Sequence, residues 1–236
     1  MKKIYNIAFF LCWGLLFIQT KAVGQFVLST ATGSTYWSTA ATGITFGLYN
    51  GNADPVMITD IELSVSSAAS GLSYELWYHP TDLTGVPTEV NTTNGWVYVA
   101  SATGVTPPSS GIANVPVFTN LPGFMIPANA TYRVAILASA GNGLYYLGSG
   151  ASPDTYTSNG LSLYTQGNSI SPTYVGYTTQ TPYMANTPRG FCGNITFVNA
   201  ANCSGQPSGG NATGASITCA GLPFSLNATG VSFGLG

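Results

Sequence analysis

From Gly43 to Val198 the sequence repeats with a period of two and almost nowhere with a period of 3.6. GITFGLYN (43–50), VMITDIELSVS (56–66), LSYELWYH (72–79), WVYVASA (96–102), ANVPVFT (113–119), TYRVAILAS (131–139), GLYYLGS (143–149), LSLYTQ (161–166) and FCGNITFV (191–198) are short and rich in β-branched and aromatic residues. Gly, Pro, Asn and Ser separate them. No stretch carries an apolar helical stripe with caps at its ends. Each such strand must lay its apolar face on another sheet. About nine of them predict an all-β antiparallel sandwich of jelly-roll type, which protects sheet edges by folding one sheet over the other.

Charged residues make up only 5% of the chain, against the usual ~25%, while 45% of it is hydrophobic. Such a chain folds, and folds with few ion pairs. Part of the apolar content is at the amino end, where Lys2 and Lys3 precede IAFFLCWGLLFI (7–18) and Ala22-Val23-Gly24 offers small residues before Gln25. This pattern predicts a secretory signal peptide over residues 1–24. Its apolar run is shorter than the roughly 20 residues a bilayer requires. A lipoprotein reading based on Cys12 is disfavoured by the bulky Leu11 before it. Cleavage removes Lys2, Lys3 and Lys21. Arg133 and Arg189 are then left against seven acids (Asp54, Asp60, Glu62, Glu75, Asp82, Glu89 and Asp154), a net charge of −5. Nucleic acid needs clustered cations, and so does an anionic membrane surface, so neither is an expected partner.

The punctuation also divides the chain. Residues 25–38 read as a Thr/Ser/Gly-rich lead-in, 39–198 as the sandwich and 199–202 as a connector. Residues 203–236 read as the start of a second module, too short to bury a core of its own. The expectation is an amino-terminal piece of a longer secreted protein. Cys192, Cys203 and Cys219 survive cleavage and can oxidise in an exported chain, and an odd number leaves one over or paired outside the chain.

Cys203, Gly205, Pro207 and Gly209, followed by Cys219, Gly221, Phe224 and Leu226, resemble the opening of the immunoglobulin-like repeats strung along large surface adhesins of Bacteroidota. In those repeats a short loop and a Tyr-x-Trp strand follow the second Gly-Leu, which is where Gly234-Leu235 stands. ITDIELSV, YELWYHP, IPANATYRVAI, NGLSLYTQG and PRGFCGNITF are similar to segments of a sandwich domain of the same proteins. Several of those proteins are type IX secretion substrates, gliding-motility adhesins among them. The resemblance implies export to the surface of a Gram-negative cell in association with its outer membrane, with secretion machinery as a partner. It brings no metal, cofactor or catalytic group. Cys192 stands where the pattern has another residue. For the second module we expect Cys203 to pair with Cys219, stapling its first two strands, with Cys192 left over or paired externally. A Cys192–Cys203 link is the competing arrangement.

Catalytic parts are scarce. The single histidine is His79, and His-x-x-Glu and Cys-x-x-Cys patterns do not occur. Triads, zinc sites and thiol redox chemistry thus lose their usual components. Glycosidase chemistry requires two carboxylates across a cleft. Asp60 and Glu62 share one strand face, however, and Asp82 and Glu89 lie in a turn, where solvated acids are the ordinary finding. Those two acids also offer oxygen ligands for calcium, but without a recognisable spacing. Sequons at Asn91, Asn129, Asn194, Asn202, Asn211 and Asn227 reflect a chain rich in Asn and Thr.

Binding has more support. Alternation along LSYELWYH puts Leu72, Tyr74, Leu76 and Tyr78 on the core side and Glu75, Trp77 and His79 on the other. In WVYVASA it buries Val97 and Val99 and exposes Trp96 and Tyr98. Exposed rings beside a carboxylate are how lectin-like sandwiches stack on sugars, which makes Trp77, Trp96, Tyr98 and Glu75 the candidate ligand-binding residues. The competing reading is that the rings cover a second sheet or lie under a loop. The expected function is therefore a non-catalytic surface adhesin or interaction module that binds an extracellular glycan or surface polymer. The alternatives are a carbohydrate-binding module of a larger secreted enzyme and a structural cap on a repeat stalk.

Overall fold

Strands form where the alternation is cleanest. The computed structural model describes residues 24–30, 36–37, 41–83, 85–87, 89–141, 143–150, 153–176, 187–200, 212–213 and 227–228. The strands run β1 (Gln25–Ser29), β2 (Tyr36–Trp37), β3 (Gly43–Asn50), β4 (Val56–Ser66), β5 (Tyr74–His79), β6 (Val97–Ala102), β7 (Ile112–Phe118) and β8 (Met125–Ile126). They continue as β9 (Ala130–Ala138), β10 (Tyr146–Leu147), β11 (Thr155–Ser158), β12 (Leu161–Tyr164), β13 (Tyr174–Gly176), β14 (Gly190–Phe191) and β15 (Gly193–Asn199). Among the described residues no α-helix occurs, and the strand pairs are antiparallel.

Eight strands are one long ribbon rolled up on itself. β1 pairs with β15, β3 with β9, β4 with β7 and β5 with β6, so the outermost strands of the ribbon pair first and its middle pairs last. Rolling puts the order β1-β15-β4-β7 in one sheet and β3-β9-β5-β6 in the other. This is the jelly-roll connectivity expected from the strand count. β12 and β11 extend the second sheet beyond β3, β13 pairs with another part of β3, and β8 pairs with β4. β14, β10 and β2 form a separate small sheet.

The core lies between the two large sheets. Ile44, Phe46, Leu48, Tyr74, Leu76, Val134 and Ile136 come from one side, and Leu28, Ile61, Leu63, Ile195 and Phe197 from the other. Tyr78 stacks between Phe124 and Tyr132, with ring centroids 5.2 and 5.0 Å away. Phe46 meets Phe191 at 4.6 Å. Of the adjacent Tyr145 and Tyr146, it is Tyr146 that turns inward.

Two expectations change. Gln25–Ser29 is no lead-in: it is the first strand of the sandwich, paired along its length with β15, and Leu28 is in the core. Its alternation extends over only five residues, too few to stand out from the polar stretch that follows. The second change concerns β3, which is buried on both faces rather than one. The segment around Ser171 lies over its outer face, and a Cβ at Gly47 would come within 2.6 Å of Ser171 Cβ. Of the second module only the backbone pair β16 (Ala212–Thr213) and β17 (Asn227–Ala228) is described. The signal segment, Cys203 and Cys219 with their expected pairing, and the immunoglobulin-like strands lie outside the described residues.

Candidate functional site

The outer face of the second sheet carries the predicted residues. In β5 the parity is as expected: Tyr74 and Leu76 are in the core, whereas Glu75 is exposed and Trp77 and His79 are half-buried on the opposite face. β6 deviates. A bulge between Leu76 and Trp77 pairs Leu76 with Ala100 and Trp77 with Tyr98, skipping Val99. The extra residue sets Tyr98 directly across from Trp77, and the two rings meet edge to face at 5.2 Å. Glu75 accepts a 2.9 Å hydrogen bond from Trp77 Nε1, which fixes the indole's orientation. Tyr98, 46% exposed on the edge strand, presents its ring to solvent. Glu75, Trp77 and Tyr98 therefore come together as one patch.

Trp96 does not join that patch. It is 2% exposed, packed with Val90, Ala135 and Tyr174, and its ring lies edge-on to His79 at 5.7 Å. The loop carrying Leu83 and Val90 folds over the outer face, and period-two parity gives no warning of a covering loop. Trp96 thus anchors the loop that borders the patch and has no surface to offer a ligand. Val97, expected inside, is 39% exposed because β6 is an edge strand. Val99 is half-buried against the core.

Beneath the same cover lies a polar cluster that sequence reasoning missed. Arg133 faces outward from β9 yet is fully buried. Its Nη1 donates to Ser171 Oγ at 2.5 Å, its Nη2 donates to the Pro172 carbonyl at 2.7 Å, and the guanidinium lies 5.3 Å from the Tyr174 ring centroid. Asp82 accepts from Ser171 Oγ at 2.8 Å and approaches Arg133 Nη1 at 3.8 Å. Burial lowers the Arg133 pKa to about 10, opposed by the nearby Asp82 carboxylate and Tyr174. The side chain remains charged at neutral pH. A lone Arg among apolar neighbours in TYRVAILAS was the available signal, because a buried arginine demands a partner. The cluster ties the loop of Asp82 and the segment of Ser171 to the sheet.

Of the two acids named for calcium, Asp82 is engaged by Ser171 and Arg133, and exposed Glu89 accepts from Asn91 Nδ2 at 3.1 Å. His79 contacts Thr81 through Nδ1 and packs against Trp96. Cys192 is buried, with Sγ 3.1 Å from Ser64 Oγ. Among the described residues no three His, Cys, Asp or Glu side chains gather as a metal site, and no helix is long and apolar enough to cross a membrane.

No protein-family model and no curated protein matches the chain. Among solved structures, the clostridial cysteine protease Cwp84 after propeptide cleavage aligns at a TM-score of 0.41 and 16% identity. The alignment covers 74% of this chain and 40% of that one, so this chain spans about two fifths of the protease chain. A likeness of that size says nothing of function.

Proposed function

We propose that the protein is a non-catalytic, exported cell-surface adhesin or interaction module of the kind its sequence resembles, and that it binds an extracellular glycan through Glu75, Trp77 and Tyr98. The observation that supports this most is the ring pair itself. Two aromatic side chains sit on the outer face of a jelly roll, one exposed and one held in orientation by an adjacent carboxylate. Apolar faces of sugar rings stack on such side chains, and the carboxylate accepts hydroxyl hydrogen bonds that set register. Surface adhesion works through many copies, so a single site in the millimolar to micromolar range, about −4 to −8 kcal/mol, is enough. The test is a glycan array followed by titration of the hits with wild type, Tyr98→Ala and Trp77→Ala. Both variants are expected to lose binding while melting cooperatively. Trp96→Ala is instead expected to lower the melting temperature, because truncating a buried tryptophan costs about 3–5 kcal/mol. Unchanged binding by folded Tyr98→Ala and Trp77→Ala would remove this site. A wild type that binds no glycan would favour the stalk-cap reading.

A further inference from the structure

The distribution of charge narrows the class of glycan, an inference that rests on the binding-face reading above. Every lysine of the chain is Lys2, Lys3 or Lys21. Of the two arginines, Arg133 is fully buried. Arg189 is half-buried, its guanidinium 5.8 Å from the Tyr146 ring centroid and its Nη1 donating to the Pro188 carbonyl. Among the described residues the exposed formal charges are therefore carboxylates. A uronic-acid, sulfated or phosphorylated polymer would find no counter-charge here and would be repelled by Glu75.

Glu75 has capacity to spare. Only its Oε2 is engaged by Trp77 Nε1, and a carboxylate offers about four lone-pair positions. Its neighbours Trp77 and Tyr98 are aromatic, and a ring attracts a cation placed within about 6 Å of its centroid. A carboxylate adds a charge-assisted hydrogen bond. Two rings and one carboxylate, with no exposed lysine or arginine among the described residues, are the elements that hold an ammonium group.

We propose that the Glu75–Trp77–Tyr98 patch selects glycans carrying free primary amines, of the glucosamine-polymer type, over neutral and acidic ones. The amine donates to Glu75 while the sugar ring rests on Tyr98. The test uses the full chain lacking only residues 1–24, titrated calorimetrically with a short glucosamine oligomer, its fully N-acetylated counterpart and a uronic-acid oligomer of equal length. The expected result is roughly tenfold tighter binding of the amine form than of the acetylated form, and no binding of the acidic one. Glu75→Gln should erase the preference. Asp154→Asn, which removes an exposed carboxylate from the turn before the edge strand β11, should leave it intact.

Equal affinity for amine and acetylated oligomers would overturn the inference and leave the glycan reading standing. So would an equal loss in Asp154→Asn and Glu75→Gln, because bulk charge would then explain the preference. A wild type that binds none of these oligomers, nor any neutral glycan, would overturn both.

Discussion

Tyr74 shows how much a single buried hydroxyl governs. It lies on the core side of β5, and its hydroxyl donates to the Gly143 carbonyl at 2.9 Å. Burial pushes its pKa up to about 12. A raised pKa on an acid means that the folded state keeps a proton the unfolded chain has already released above pH 10. The stabilisation is therefore complete below about pH 10 and is lost as pH climbs through 12. Tyr132 and Tyr164 are shifted in the same direction, first by burial and then by neighbouring groups. Denaturant titrations between pH 8 and 12 are expected to show a flat region and then a steep fall. Tyr74→Phe should remove on the order of 2 kcal/mol of that fall. The same change should cost about 1 kcal/mol at neutral pH for the lost hydrogen bond. A wild type equally stable at pH 9 and pH 12 would contradict the assignment. Parity alone was enough to place Tyr74 inside. It also placed Trp96 on the outer face, but burial of that ring depends on Val90, Leu83 and Tyr174, whose positions no local pattern encodes.

At the level of strands, legibility followed regularity. β3 and β4 coincide with the segments read from sequence: β3 keeps Ile44, Phe46 and Leu48 on one parity, and β4 is long enough to be recognised although its core positions switch from Val56 and Ile58 to Ile61, Leu63 and Val65 where its pairing shifts register. β6 was found but its pairing was not, since a bulge is a property of two strands together and only one was being read. β8, β10 and β13 are two or three residues long and are defined by their partners, β8 pairing with β4, β13 with β3, and β10 standing between β14 and β2. β1 was missed for a related reason: five residues QFVLS carry little signal until β15 is placed beside them. Its contribution is nonetheless specific. It covers the edge of β15 and inserts Leu28 into the core. A protein beginning at Thr30 is expected to lose both, exposing a free strand edge that promotes association. Comparing chains that start at Gln25 and Thr30 by thermal melting and light scattering checks this. The shorter one should melt lower and aggregate, and equal behaviour would return residues 25–29 to the status of a lead-in.

For the molecule as a whole, jelly-roll closure replaces electrostatics as the source of order. Among the described residues Arg133 with Asp82 is the only ion pair, and it is sheltered beneath the loop cover. Salt screens exposed charges within a Debye length of about 10 Å at 0.1 M and reaches buried pairs poorly. The melting temperature is therefore expected to move by no more than about 2 °C between low salt and 0.3 M NaCl. A larger drop would reveal surface pairs contributing to stability. The roll also has a mechanical consequence. Because the ribbon's two free ends are its first-paired strands, Gln25 lies opposite Val198 at one corner of the sandwich. A pull applied at those two points does not load the β1–β15 ladder all at once. It opens the ladder like a zipper, one hydrogen-bonded pair after another from that corner. The fold would yield in small steps under modest tension and hang to the side of the line of force rather than bear it.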